Sequence, residues 1–186
     1  MNIIERDEQV VMANERLADV PQFAMPARYG LRWYQPGDVD TWVDMHRGIQ
    51  DQIKVDAALF VREYGDDEER LATCMAFLLN PWKEPIGTIT AWADDKFNNA
   101  EYGRIHWVVI VPEEQGKGLS KPMMSAACQR LLKLGHERAY LVTSTGCVPA
   151  INMYRQFGFV PMIKEGSDQL QYWRELAPHL KSPMAL

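Results

Sequence analysis

A strand-like apolar run that leads into a glycine-rich loop constrains this chain more than any other feature. The run Trp107–Val111 is followed within a few residues by QGKGLS, residues 115–120. Glycine weakens strands and helices, so two glycines beside a core segment require a physical reason. Apolar residues at helical spacing then predict a helix that begins at Gly118 or Ser120 and ends at Leu134. A strand, a glycine loop and a helix N-terminus form an arrangement that binds anions.

The loop has three possible uses: a plain turn, a nucleotide-binding loop, or a cradle for another phosphate. A Walker loop requires Ser or Thr after its lysine, but Lys117 is followed by Gly118. A dinucleotide fingerprint requires a third glycine, and Lys121 occupies that position. Both nucleotide patterns therefore fail, whereas the plain turn and the phosphate cradle stay open. Pro122 suits a first helical turn because it has no N–H group to leave unpaired.

Composition limits the classes of protein and partner. A chain of 186 residues that is 47% hydrophobic can bury a real core. The net charge is −5 and no Lys/Arg block is present, so we expect no nucleic acid partner. No apolar run approaches the ~20 residues of a membrane span, and the charged start MNIIERDEQVV is unlike a signal peptide. Three widely spaced cysteines favour free thiols, so we expect a cytoplasmic protein without membrane association.

Periodicity predicts an α/β (α+β) chain. Residues 1–28 are interpreted as an N-terminal appendage, with helical spacing over 10–18, and residues 29–186 as a single domain. The predicted strands are 29–34, 73–79, 85–93, 104–111, 139–145, 159–163 and 169–175. The predicted helices start at Asp38 or Asp40 and run to Ile49, then cover 56–64, 118 or 120 to 134, and 149–157. Strands alternating with helices imply a partly parallel sheet.

Two segments resemble a known family. Residues 109–120, VIVPEEQGKGLS, resemble motif A of the GNAT superfamily of acyl-CoA-dependent N-acetyltransferases, although Ser120 departs from its last Gly/Ala position. Residues 150–159, AINMYRQFGF, resemble motif B of the same family. The two motifs occur in the expected order, and the resemblance covers residues 29–175. It implies a GNAT fold: a mixed, mostly antiparallel sheet of six or seven strands with a splayed central parallel pair, flanked by about four helices.

The resemblance also implies acetyl-CoA as co-substrate and no metal. The N–H groups of residues 115–120 would hold the pyrophosphate of coenzyme A, and the backbone of Val109 and Val111 would pair with the pantetheine arm. The residues expected to bind acetyl-CoA are Val109, Ile110, Val111, Gln115, Gly116, Lys117, Gly118, Leu119, Ser120 and Asn152.

The catalytic candidates follow from what acetyl transfer to an amine requires. Tyr154 matches the motif B tyrosine that protonates the departing thiolate in many GNAT enzymes; packing on the cofactor without a proton role is the alternative. The family's usual glutamate base aligns with Arg104, which cannot act as a base. His106 lies two residues further on and has a suitable reference pKa near 6.5, so we expect it or a water it orders to take the amine proton. An equally favoured interpretation is that His106 is a buried structural histidine. Glu101 is a weaker candidate for the base.

Direct transfer of the acetyl group to a primary amine of a small molecule or peptide is the predicted function. Two alternatives stay open: transfer from a longer acyl-CoA, and a non-catalytic acyl-CoA-binding sensor module. Cys147 is interpreted as a small buried thiol, and His46, His136 and His179 lack metal-ligand spacing. The sequence contains no motif that identifies the acceptor. Oligomeric state also stays open, with a homodimer the commonest symmetric assembly.

Overall fold

One mixed sheet of seven strands runs through the computed structural model, which describes residues 1–47, 53–94 and 97–183. In chain order the strands are β1 (Gln9–Asn14), β2 (Gly30–Trp33), β3 (Met75–Leu79), β4 (Pro85–Asp94), β5 (Tyr102–Ile110), β6 (Ala139–Ser144) and β7 (Val160–Pro161). Across the sheet their order is β2-β3-β4-β5-β6-β1-β7. β5 and β6 are parallel, whereas β1 is antiparallel to β6 and β7, and β3 is antiparallel to β2 and β4. The mixed sheet with a central parallel pair is confirmed.

Seven α-helices lie within the described ranges. They are α1 (Ile3–Arg6), α2 (Asp38–His46), α3 (Ala57–Tyr64), α4 (Glu68–Cys74), α5 (Ser120–Lys133), α6 (Val148–Gln156) and α7 (Gln169–Leu176). The four predicted helices correspond to α2, α3, α5 and α6; Ile49, the predicted end of α2, lies outside the described residues. α3 shows why the prediction succeeds: Asp56 accepts a hydrogen bond from the Leu59 N–H at its start, and Gly65 follows at its end. No helix in the described ranges is long and apolar enough to cross a membrane.

The chain divides into two compact units. Unit 1 comprises residues 1–21, 93–105 and 131–186, and unit 2 comprises residues 22–92 and 106–130. In unit 2 an aromatic cluster surrounds the fully buried Trp42, which meets Phe60 edge-on at 5.2 Å and Tyr64 at 5.9 Å. In unit 1 the rings of Phe97 and Tyr140 are stacked in parallel. Unit 2 carries the glycine loop and unit 1 carries α6.

The N-terminal residues form a strand, so the helix predicted over 10–18 is wrong. β1 pairs with β6 over its whole length, from Gln9 opposite Ser144 to Asn14 opposite Ala139. Val10 and Met12 are both fully buried and alternate along the strand, as one face of a sheet requires. Leu17 completed the apparent helical spacing, but it belongs to a separate 3-10 turn. Residues 9–14 are therefore part of the sheet.

The C-terminal residues form a helix, so the strand predicted over 169–175 is also wrong. α7 buries Trp173 and Leu176, which are three residues apart and share one helical face. The predicted strand 159–163 is reduced to Val160–Pro161, which pairs with β1. α1 and α4, also absent from the sequence prediction, are only four and seven residues long.

Candidate active site

The loop between β5 and α5 turns through two glycines in the left-handed region. Gly116 and Gly118 both have φ of 75°, and a Cβ at either position would meet no atom within 4 Å. Crowding within the protein is therefore not the reason for glycine here. The reason is the backbone conformation, which L-residues adopt only at a cost. The positive φ is a sufficient reason for glycine at both positions. α5 begins at Ser120, one of the two predicted starts.

A carboxylate holds this loop together. Glu114 Oε2 accepts hydrogen bonds from Lys117 Nζ at 2.9 Å and from the Tyr29 hydroxyl at 3.1 Å. The bond to Lys117 holds the pKa of Glu114 below its usual value and raises the pKa of Lys117. Gln115 Nε2 donates to the carbonyl of Ile110 at 2.8 Å. The loop therefore has its own hydrogen bonds to β5 and across the turn, which favour a preformed conformation.

The end of β5 offers less free backbone than the sequence suggested. The N–H of Val111 donates to the carbonyl of Ile86 at 2.9 Å, and its carbonyl accepts from the N–H of Glu114 at 3.0 Å. The Val111 N–H is thus occupied within unit 2, which argues against its expected pairing with pantetheine. For Val109, the other residue expected to pair with pantetheine, that role stays a prediction. Its carbonyl lies against Gly87, where an added Cβ would approach it to 2.5 Å.

β5 departs from regular strand geometry directly after the predicted base. Its parallel register with β6 runs from Gly103 to Ile105, and Trp107 then has φ of 47°, inside the strand. A bulky residue in the left-handed region is strained. Its carbonyl accepts a hydrogen bond from Thr88 Oγ1 at 3.3 Å, and its ring packs edge-on against Trp42 at 5.1 Å. The regular alternation of a strand therefore does not extend past His106.

His106 is buried and paired with a carboxylate that sequence reasoning did not single out. Its Nε2 lies 2.9 Å from Glu63 Oε2, and Trp107 Nε1 donates to the same oxygen at 3.1 Å. A signal for Glu63 was present in α3. It lies three residues after Phe60 and four after Leu59, both buried, so a charged residue occupies the apolar face of the helix.

His46 is also buried but has a structural environment. Its Nδ1 lies 2.7 Å from the carbonyl of Trp42. Burial lowers the pKa of His46 to about 4, although hydrogen bonds to the backbone carbonyls of Trp42 and Trp107 partly oppose this. His46 is therefore neutral near pH 7. Among the described residues, no group of three or more His, Cys, Asp or Glu side chains could hold a metal ion.

Comparison with known proteins shows which family this chain belongs to. Residues 39–159, more than half of the chain, match the Acetyltransferase (GNAT) family. The chain belongs to the GNAT family. A mycothiol acetyltransferase from Pseudarthrobacter chlorophenolicus is 27% identical over 157 residues, which cover 76% of this chain and 46% of that protein. Another, from Catenulispora acidiphila, is 24% identical over 84% of this chain and 52% of that protein. This GNAT chain thus spans about half the length of these curated relatives.

Solved structures show the same fold. A GCN5-related N-acetyltransferase from Sphaerobacter thermophilus matches with a TM-score of 0.67 at 15% identity, over 83% of this chain and 48% of that one. A tandem GNAT protein from the clavulanic acid biosynthesis pathway matches with a TM-score of 0.60 at 16% identity, over 83% and 50%. At these identities the likeness concerns the fold alone.

The motif B residues of this GNAT chain lie on α6, in unit 1. Tyr154 is buried, and burial raises its pKa above the ordinary value for tyrosine, so the phenol stays protonated at neutral pH. Asn152 uses its side chain within unit 1: its Oδ1 accepts from the Lys181 N–H at 2.9 Å, and its Nδ2 donates to the Val148 carbonyl at 3.0 Å. These bonds give Asn152 a structural role beside the cofactor contact predicted for it.

The other residues considered for the active site have surroundings that do not indicate a catalytic role. Cys147, at the start of α6, is exposed, so the prediction of a buried thiol is wrong. Arg104 directs its guanidinium towards the ring of Tyr140, 5.6 Å from its centroid. Glu101 precedes β5, and its carbonyl accepts a hydrogen bond from Arg138 at 3.2 Å. None of these observations assigns a proton-transfer role.

Proposed function

We propose that this chain transfers the acetyl group of acetyl-CoA directly to a primary amine of a small molecule or peptide. The observation that carries the proposal is the path from β5 through two left-handed glycines to the first turn of α5. The first N–H groups of a helix have no partner within it and point where a phosphate can bind. Open space on the Cβ side of Gly116 and Gly118 fits a pyrophosphate held by the loop.

Acetyl-CoA supplies an activated acyl group as a thioester. The N–H groups of residues 115–120 would bind its pyrophosphate, and Lys117 would add positive charge. The Val109 N–H would donate to the thioester oxygen, where negative charge develops. Leu119 is buried in the protein, so its contribution would come from the backbone. Ser120 would contribute likewise, at the start of α5.

The proton balance of the transfer needs one base and one acid. As the C–N bond forms, the amine proton passes to His106, directly or through water. As the C–S bond breaks, the Tyr154 phenol gives its proton to the thiolate. Both residues then exchange protons with solvent, and the products are an amide and the free thiol of coenzyme A. Tyr154 suits this role because its raised pKa keeps it protonated before the transfer.

A second candidate concerns the acceptor. The relatives from Pseudarthrobacter chlorophenolicus and Catenulispora acidiphila are named mycothiol acetyltransferases. The acceptor of those enzymes is therefore the first specific substrate to test with this chain. A small amine or a peptide N-terminus is the general form of the proposal.

Ligand binding is the first experiment. A thermal-shift titration compares acetyl-CoA, CoA and ATP; ligand at ~100 Kd stabilises the folded state by about 2.7 kcal/mol. We expect a clear shift with both CoA species and none with ATP. No shift with CoA would overturn the proposal.

Acetylation is the second experiment. Mass spectrometry of a panel of amines, with the mycothiol acetyltransferase acceptor included, identifies the acetylated product. Binding of acetyl-CoA without any acetylated product would favour the sensor alternative. Stronger turnover with a longer acyl-CoA than with acetyl-CoA would favour the alternative of an acyltransferase that uses a longer acyl group.

A further inference from the structure

We propose that Glu63 is a positioning residue that fixes the tautomer of His106 and clamps the strained residue Trp107. One carboxylate oxygen, Glu63 Oε2, serves both neighbours: His106 Nε2 at 2.9 Å and Trp107 Nε1 at 3.1 Å. The consequence for catalysis rests on the proposed function, in which His106 takes the amine proton. The structural part, the tautomer and the clamp, does not depend on any activity.

The chemistry of the donors decides the tautomer. An indole N–H can only donate, so Glu63 Oε2 is an acceptor towards Trp107. An ionised carboxylate has no proton to give, so the nitrogen of His106 that faces the same oxygen must carry the hydrogen. Nε2 is therefore the protonated nitrogen of neutral His106, and Nδ1 carries the lone pair. The base of the proposed reaction is thus Nδ1, and Glu63 faces the opposite side of the ring.

Glu63 also stabilises the imidazolium that forms when Nδ1 accepts a proton. The pair is largely removed from solvent: the His106 side chain is 8% exposed and that of Glu63 25%. A hydrogen-bonded opposite charge favours the protonated form of the base. Tyr64 of α3, whose ring centroid is 5.5 Å away, and His46 of α2 also face His106. Burial keeps His46 neutral near pH 7, so it adds no charge beside this ring.

The clamp on Trp107 matters because of where that residue lies. Trp107, with φ of 47°, lies between His106 and Val109, whose N–H is proposed to donate to the thioester oxygen. Its indole is held by Glu63 and its carbonyl by Thr88. Strain of this kind persists where surrounding contacts determine the conformation. One oxygen atom of Glu63, on α3, therefore contacts both the proposed base and the strained residue of β5.

The test combines NMR with kinetics. In the wild-type protein, ¹⁵N spectra of labelled histidine should show His106 with Nε2 protonated and Nδ1 unprotonated. Glu63→Gln removes the charge with little change of size. We expect the acid limb of the kcat/KM profile to move to lower pH by about one pH unit, because loss of the carboxylate disfavours the imidazolium. We also expect kcat to fall at least tenfold with KM for acetyl-CoA unchanged, and Glu63→Asp to recover part of the rate.

The matched control is Glu69→Gln, at an exposed glutamate on α4. It should leave the histidine spectrum, the pH profile and kcat unchanged. A wild-type His106 protonated on Nδ1 would overturn the proposal, and so would a Glu63→Gln enzyme with the wild-type pH profile and kcat. If no amine is acetylated, the tautomer measurement still decides the structural part. A failure of the proposed function is therefore distinguishable from a failure of this inference. The tautomer is measured on the wild-type protein, so this measurement does not depend on whether the Glu63 variants fold.

Discussion

At the scale of single residues, backbone conformation sets a cost that side-chain contacts do not reveal. Gly118 and Gly30 both have open space at the Cβ position, but only Gly118 has a positive φ. Gly118→Ala should therefore destabilise the protein by about 1–2 kcal/mol and weaken acetyl-CoA binding. Gly30→Ala, the matched control, should stay within about 0.5 kcal/mol of the wild type. Urea unfolding and an acetyl-CoA titration measure both effects. Equal behaviour of the two variants would contradict the conformational explanation.

Tyr154 is the residue-scale test of the proposed acid. Tyr154→Phe removes only the hydroxyl, so kcat should fall about 100-fold, as for loss of one proton-transfer group, while KM for acetyl-CoA stays constant. Since burial raises the pKa of Tyr154, wild-type activity should show no alkaline limb from this group below about pH 10. Tyr172→Phe on α7 is the control. A Tyr154→Phe enzyme with wild-type kcat would show that the ring only packs.

At the scale of secondary-structure elements, the position of β1 within the sheet predicts that its buried residues stabilise the fold. Met12 lies in β1 and is fully buried, with β6 and β7 as its neighbouring strands. Met12→Ala should lower the free energy of unfolding by about 2–5 kcal/mol, because it removes buried apolar volume. Val160→Ala, at a 58% exposed position in the adjacent β7, should change it by at most about 0.5 kcal/mol. Urea unfolding of both variants gives the comparison, and a mild effect at Met12 would argue against a core strand.

The elements that sequence predicted best have one clear period or a clear start and end. α3 has an aspartate cap and a terminal glycine, and α5 follows a glycine loop. β1 and α7 were misassigned because short segments with few apolar residues satisfy two periods, and tertiary packing decides between them. The family motifs located the loop and Tyr154. They could not locate Glu63, because its contact with His106 joins residues 43 apart in sequence and depends on how α3 packs on β5.

At the scale of the whole molecule, a buried histidine links folding to protonation. His46 is 3% exposed and neutral near pH 7, whereas His179 is exposed. The unfolded chain leaves every histidine in water with a pKa near 6.5. A buried neutral histidine therefore makes folding stability depend on pH.

Stability should fall as the pH falls from 6.5 to about 4, in part because of His46. Burial lowers the pKa of His46 to about 4, so the unfolded state binds a proton in this window that the folded state does not. The contribution is fully present above pH 6.5 and is lost progressively below it, by about 3 kcal/mol in total. Urea unfolding at several pH values should give a flatter pH dependence for His46→Gln than for the wild type, and an unchanged one for His179→Gln. Carboxylates that titrate in the same pH window contribute equally to the wild type and the variants, so their effect on stability cancels in this comparison. If His46→Gln does not fold, histidine NMR of the wild type decides the matter: titration of His46 near pH 6.5 would contradict the prediction.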